Sequence, residues 1–169
     1  QFKGQVIHPQ KWPEDLDYKD KQVVVIGSGA TAITLVPAMA ETTRHVTMLQ
    51  RSPTYVVSRP DRDQWAIRLA KYLPAKLAYM IVRWRNVSLQ ALIFQFSRRR
   101  PEKLKAMLRK GTRAWLGLNF DIDTHFTPKY NPWDQRLCLV PNGDLFRSLR
   151  EGTSSVVTDQ IKTFTKTGI

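Results

Sequence analysis

One cysteine, Cys138, stands in 169 residues. That excludes an internal disulfide framework and a cysteine-rich zinc module. Histidine is nearly as scarce, with only His8, His45 and His125, so a metal site has little to draw on and none is expected. There is no run of about 18 apolar residues, which excludes a membrane-spanning helix. Acids are few: 14 Asp and Glu face 27 Lys and Arg, for a formal charge of +13 and a pI near 10.2. Such an imbalance speaks about partners and surfaces, not about fold. Against these shortages, 42% of the residues are apolar, enough for a packed core. At about 100–200 residues per domain, the length fits one domain or a piece of something larger.

The charge is concentrated. Between Arg59 and Arg113 lie 15 of the basic residues, from Arg62 and Arg68 through Arg98-Arg99-Arg100 to Lys110, with only Asp61, Asp63 and Glu102 as acids. The flanks are nearly neutral, so this segment reads as an insertion. It also has helical spacing. Trp65, Leu69, Tyr72 and Leu73 form one stripe, and Leu77, Met80, Ile81 and Trp84 a second. Leu89, Leu92, Ile93 and Phe96 form a third, and Leu104, Met107 and Leu108 a fourth. Pro74 and Pro101 mark boundaries. The pattern predicts two or three amphipathic helices with basic faces. No helix-turn-helix, zinc-finger or RNP-type pattern accompanies the charge, so nucleic acid is not expected as a partner. A solvated basic surface, or peripheral contact with an anionic membrane, fits better.

The flanks alternate between strand and helix. Gln22–Ile26 is a short β-branched run suited to a buried parallel strand. Ile33–Ala40 is apolar and rich in small residues, as a helix lying on a sheet is, and Pro37, which lacks a donor, is expected to bend it or break its ladder. His45–Leu49 reads as a second strand, which completes a βαβ unit. Farther on, Leu137–Val140, Val156–Thr158 and Ile161–Phe164 read as strands, and Leu145–Arg150 as a short helix.

Between the first strand and its helix stands Gly27-Ser28-Gly29-Ala30-Thr31-Ala32-Ile33. Gly27-x-Gly29-x-x-Ala32 matches the dinucleotide fingerprint G-x-G-x-x-G/A, in the strand-to-helix context that gives the pattern its meaning. The first glycine permits the tight turn. The second lets backbone approach a pyrophosphate, and Ala32 keeps the helix near the sheet. The helix start offers free N–H groups to the phosphates. The fold expected is therefore α/β, a Rossmann-like NAD(P)-binding domain with a parallel sheet and a basic α-helical insertion. An NAD site places an acid about 20 residues after the glycines. Here the second strand ends in Gln50-Arg51-Ser52-Pro53. Arg51 can pair with a 2′-phosphate and Ser52 can donate to it, so NADP is favoured over NAD. The competing reading of Arg51 is an ordinary surface arginine.

The N-terminal spacing Phe2-x-Gly4-x-x-x-His8-x-x-x-Trp12-Pro13, followed by Gly27-x-Gly29-x-x-Ala32, resembles the signature of the Baeyer–Villiger monooxygenases. Gln50–Pro53 and Asn131–Cys138 extend the resemblance, and tracts such as Ser52-Pro53-Thr54-Tyr55 are most similar to the ethionamide-activating mycobacterial type. The family implies FAD and NADPH as cofactors and O2 as co-substrate. Reduced flavin takes up oxygen as a C4a-peroxyflavin, which converts ketones to esters or lactones and also reaches sulfur compounds. A flavin-containing S- or N-oxygenating monooxygenase is the near alternative, and a basic nucleic-acid- or membrane-binding module the distant one.

The resemblance assigns roles by position. Arg136 matches the arginine beside the flavin that stabilises developing negative charge. On the residues alone, Arg136 reads first as an ion-pair partner of Asp134 or of a neighbouring helix. Gln135 stands where many members carry a lysine that helps hold the 2′-phosphate. His8 is taken to couple the cofactor domains, with Trp12 as a packing anchor beside it. Only one fingerprint is present, so the chain is expected to be an internal piece lacking the FAD domain and inactive alone. Its expected organisation is a signature linker at 1–16, the NADP-binding domain at 17–58 and 121–169, and a helical insertion at 59–120. The expected location is cytoplasmic, with peripheral membrane contact through the insertion.

Overall fold

The computed structural model describes residues 2–169. It is α/β, with every strand pairing parallel. In the first βαβ unit, β1 (Gln22–Ile26) leads into α1 (Ala30–Ala40) and then β2 (His45–Gln50). After β3 (Tyr55–Arg59) come α2 (Gln64–Tyr72), α3 (Ala75–Arg99), α4 (Pro101–Leu116) and the short α5 (Ile122–Phe126). The chain returns through β4 (Leu137–Pro141), α6 (Asp144–Glu151) and β5 (Ser154–Thr158).

Two sheets result. One has the order β1-β2-β5, with Ile26 opposite Leu49 and Gln50 opposite Thr158. The other pairs β3 with β4, with Tyr55 opposite Leu137. Alternate residues of β2, Val46, Met48 and Gln50, are buried, as strand periodicity requires. Val46 and Met48 join Ile33, Val36 and Met39 of α1 in one core with Val56, Cys138, Val140, Phe146 and Val156. Leu116 carries α4 into the same cluster. The sheets, α1 and α6 thus form one hydrophobic unit, which fixes the strand ends where Gly27–Ile33 lies, termed the phosphate loop after the fingerprint it carries.

The helices begin where capping chemistry allows. Asp63 accepts from the Trp65 and Ala66 amides at the start of α2, and Asp121 does the same for Asp123 and Thr124 in α5. Pro101 occupies the first turn of α4, where its missing donor costs nothing. The spacing predicted separate stripes across 77–96, and the structure joins them in one 25-residue helix.

Three expectations need correction. β1 is not buried on both faces, because it is the edge strand of its sheet and leaves Val24 and Ile26 exposed. α3 is not two-sided. At about 100° per residue, its exposed Tyr79, Ile81, Trp84, Val87, Leu89, Leu92 and Ile93 face all around the axis, and only Ala78 and Ser97 are buried. By contrast, α4 keeps a clear inward stripe at Leu104, Thr112 and Leu116. Ile161–Phe164 forms no strand. Ile161 and Phe164 are exposed and no ladder partner stands beside them, and an extended segment without a ladder is not a strand. β3 has no counterpart among the strands expected from the sequence, because its run, Tyr55-Val56-Val57-Ser58-Arg59, merges into the charged segment. α1 continues as one helix through Pro37, whose missing N–H removes one bond from its ladder.

Candidate functional site

The site is built at the carboxyl ends of β1 and β2. Gly27 leaves β1 with φ of 126°, a conformation that favours glycine, while its N–H donates to the Leu49 carbonyl at 2.7 Å. The turn out of the strand is therefore pinned to β2. α1 then opens at Gly29, which caps it with no side-chain acceptor. The first-turn amides of Ala30, Thr31 and Ala32 have no carbonyl one turn back to accept them, so they face outward with the positive end of the helix dipole. Ala32 and Ile33 are buried beneath, and small Ala32 keeps the helix start close to the sheet. Ala30 and Thr31 are exposed.

The Ser28 hydroxyl is committed inward. It lies 3.1 Å from Thr54 Oγ1 and donates to the Ser52 carbonyl at 3.4 Å. Both Ser28 and Thr54 are buried. These contacts tie the phosphate loop to the end of β2, so Arg51 and Ser52, both exposed, border the loop. Gln50 anchors them from below. It is 2% exposed, and its Nε2 donates to the His125 carbonyl at 2.8 Å and to Thr158 Oγ1 at 2.9 Å. His125 Nδ1 meets the same Thr158 hydroxyl at 2.8 Å. Burial holds the His125 imidazole below its ordinary pKa, against a smaller upward pull from Asp121.

Arg136 comes from the opposite direction, in the loop before β4. Its Nη1 lies 3.3 Å from where a Cβ on Gly29 would stand. The absence of a side chain at Gly29 thus gives the guanidinium room against the phosphate loop. Asp134 is not its partner. That carboxylate pairs with Arg98 at 2.5 Å, and Arg136 enters no ion pair among the described residues. Gln135 and Arg136 are both exposed, able to face a bound ligand.

The signature residues do not converge on this rim. The Phe2 ring packs against Phe164 at 6.4 Å, and the Lys3 amide donates to the Lys166 carbonyl at 3.0 Å. Gly4 sits under the Phe2 ring. His8 Nδ1 accepts from the Gln10 amide at 3.3 Å and caps a 3-10 turn at Pro9–Lys11. Trp12 packs on Tyr18 at 6.0 Å. No hydrogen bond among the described residues joins His8 to the phosphate loop.

Reasoning from the sequence missed Thr54, Tyr55 and Tyr130. Tyr55 donates to the Tyr130 carbonyl at 2.8 Å, and Tyr130 to the Arg136 carbonyl at 2.9 Å. Burial first, then Tyr130 and Glu102, pushes the Tyr55 phenol up to about 12, so it remains a donor. The sequence offered only their place in short tracts near Arg51 and Arg136, with Tyr55 and Tyr130 as aromatics.

The sequence profile of the flavin-binding monooxygenase-like family matches residues 1–97. The FAD-containing monooxygenase EthA of Mycobacterium tuberculosis (strain ATCC 25618 / H37Rv) is 57% identical over 99% of this chain. The probable FAD-binding monooxygenase AlmA of Acinetobacter baylyi (strain ATCC 33305 / BD413 / ADP1) is 56% identical over 99%. The chain spans only 35% and 34% of those two proteins. Among solved structures, OTEMO in complex with FAD and NADP superposes with a TM-score of 0.71 at 18% identity, over 99% of this chain and 39% of the other. Oxidized steroid monooxygenase bound to NADP gives 0.66 at 17% identity, over 94% and 37%. At these identities the superpositions establish the fold.

Proposed function

The chain belongs to the flavin-binding monooxygenase-like family, and from that premise we propose that it is the NADP-binding part of an FAD- and NADPH-dependent monooxygenase that converts ketones to esters or lactones, with sulfur compounds as a second substrate class. The observation that carries this reading is the Arg136 guanidinium lying against Gly29 of the phosphate loop. It places a positive charge beside a bare helix start. The residues fit a dinucleotide: a glycine turn, unoccupied first-turn amides, and exposed Arg51 and Ser52 at the rim. Gly27–Ile33 would cradle the pyrophosphate and Arg51 and Ser52 would hold the 2′-phosphate, with Gln135 as a neutral neighbour. When bound, the flavin supplies activated oxygen and the nicotinamide supplies hydride. Arg136 stabilises the negative charge that develops on oxygen. The relatives EthA and AlmA, named as FAD monooxygenases, support the same reading. His8, with Phe2, Gly4 and Trp12, serves the coupling between cofactor domains.

In the same reading, 59–120 is an insertion into a domain formed by 17–58 and 121–169, and the FAD domain lies outside this chain. The protein is cytoplasmic. Among the described residues, no helix is long and apolar enough to cross a membrane. Exposed Trp65, Tyr72 and Trp84 beside the basic residues support peripheral contact with an anionic bilayer.

The test uses the full-length protein with FAD bound. Wild type should oxidise NADPH and yield oxygenated ketone product. Arg136→Ala should keep oxidising NADPH while product formation falls by about 100-fold or more. Retained ester formation removes Arg136 from the chemistry. The isolated 169-residue chain should bind NADPH weakly and turn nothing over.

A further inference from the structure

Arg136 and the phosphate loop come from distant parts of the chain, and β3 stands between them. Its first residue is Tyr55, and the residue before it is Thr54. Thr54 holds the loop side through its 3.1 Å contact with Ser28. Tyr55, 5% exposed, holds the other side by donating to the Tyr130 carbonyl. The two rings meet edge to face with centroids 5.3 Å apart. Tyr130 then donates to the carbonyl of Arg136 itself. Arg136 lies one residue before β4, and the β3–β4 register begins at Tyr55 and Leu137. The ladder stops short of the arginine, and the Tyr130 hydroxyl is what holds its backbone. Phe94 against Trp133 at 6.2 Å and Arg98 on Asp134 steady the far side of the same loop.

Packing alone would not need the hydroxyls, because phenylalanine rings would fill the same space. Each hydroxyl instead meets a backbone carbonyl at ordinary hydrogen-bond length, in sequence toward Arg136. We propose that Thr54, Tyr55 and Tyr130 form a positioning latch that sets where the Arg136 guanidinium lies over the phosphate loop, and so governs cofactor affinity and the coupling of NADPH oxidation to oxygen transfer. This rests on the function proposed for Arg136. The tyrosines are positioning residues, since both hydroxyls are spent on backbone carbonyls on the way to Arg136.

The experiment compares Tyr130→Phe, Tyr55→Phe and Arg136→Ala, and each tyrosine variant combined with Arg136→Ala, in the full-length protein with FAD bound. Each phenylalanine variant should raise the KM for NADPH by about 3- to 10-fold, the effect of one lost hydrogen bond. It should also lower the fraction of NADPH that yields oxygenated product. The maximal NADPH oxidation rate should stay within about twofold and FAD content should not change. In the Arg136→Ala background neither substitution should have a further effect, because a latch acting through Arg136 has nothing left to position. The latch is overturned if the phenylalanine variants match wild type. It is also overturned if their losses add in full to that of Arg136→Ala, which would mark a general structural role. If Arg136→Ala is itself silent in KM and coupling, the role of Arg136 falls and the latch falls with it. A silent Tyr130→Phe beside a defective Arg136→Ala defeats the latch alone.

Discussion

The sheet half of the molecule and its helical arm treat apolar side chains in opposite ways. Around β2, α1 and α6, large apolar residues such as Ile33, Met48, Leu145 and Phe146 are almost wholly buried. Along α2 and α3, residues of the same kind lie in the open, Tyr72 at 85% and Trp84 at 67% exposure. Charge follows the same division, since nearly all of the excess lies between Arg59 and Arg113. A helix that is apolar all round normally has something packed against it. α3 touches its neighbours at a few points only, through Arg85 with Asp63 and Trp65 near its middle, and through Phe94 with Trp133 and Arg98 with Asp134 near its end. The lesson is that the arm's shape follows from local helix formation, whereas the sheet half holds together through long-range packing.

Phe146 offers the strongest test of that contrast. It is 1% exposed and packs on Trp115 and Phe126. Phe146→Ala should cost about 3–5 kcal/mol in urea unfolding, while Leu92→Ala should stay within about 0.5 kcal/mol of wild type. Equal losses would erase the distinction.

Next in size is the rim of the sheet half. Arg51→Ala should weaken NADPH binding about 10- to 150-fold, the range for a lost charge-assisted hydrogen bond, and leave NADH binding unchanged. Fluorescence titration of the full-length protein with both cofactors reads it directly. Equal wild-type affinity for the two would remove the 2′-phosphate role.

A smaller effect should appear with pH. His125 is held below its ordinary pKa by burial, so the unfolded chain binds the proton more readily than the native one. Stability should therefore rise with pH in the window below about 6.5 and level off above it. His125→Gln should flatten that slope in thermal unfolding followed from pH 5 to 8, roughly the range where histidine titrates. An unchanged slope would assign it to other groups.

The smallest effect belongs to the arm. Asp63→Ala removes the acceptor for the Trp65 and Ala66 amides. Hydrogen exchange of those two amides should quicken while β1 and β2 stay protected. Faster exchange across the sheet as well would show that the arm supports it.

Much of the sheet half was legible because its signals are local. Gln22–Ile26 followed by Gly27-x-Gly29 gives strand, turn and helix within a few residues, and the structure has all three. The neutral, glycine-bearing loop and the absence of an acid after β2 needed no tertiary information. Ile161–Phe164 misled because its pattern suits a strand, yet a strand exists only when a partner is present. The sidedness of α3 misled for a similar reason. Stripes at helical spacing predict a helix, but the side that is covered depends on what lies against it.

The sequence by itself determined the βαβ unit, the fingerprint at Gly27–Ala32, the end of β2 just before Arg51 and the basic helical arm, because each rests on contacts between near neighbours. Only the tertiary structure decided that Arg136 lies over Gly29, that Asp134 turns away to Arg98, and that Tyr55 and Tyr130 reach Arg136 in succession. Those contacts join residues far apart in the chain. They exist only because one shared core brings the two sheets and α1 together, and no local pattern records that.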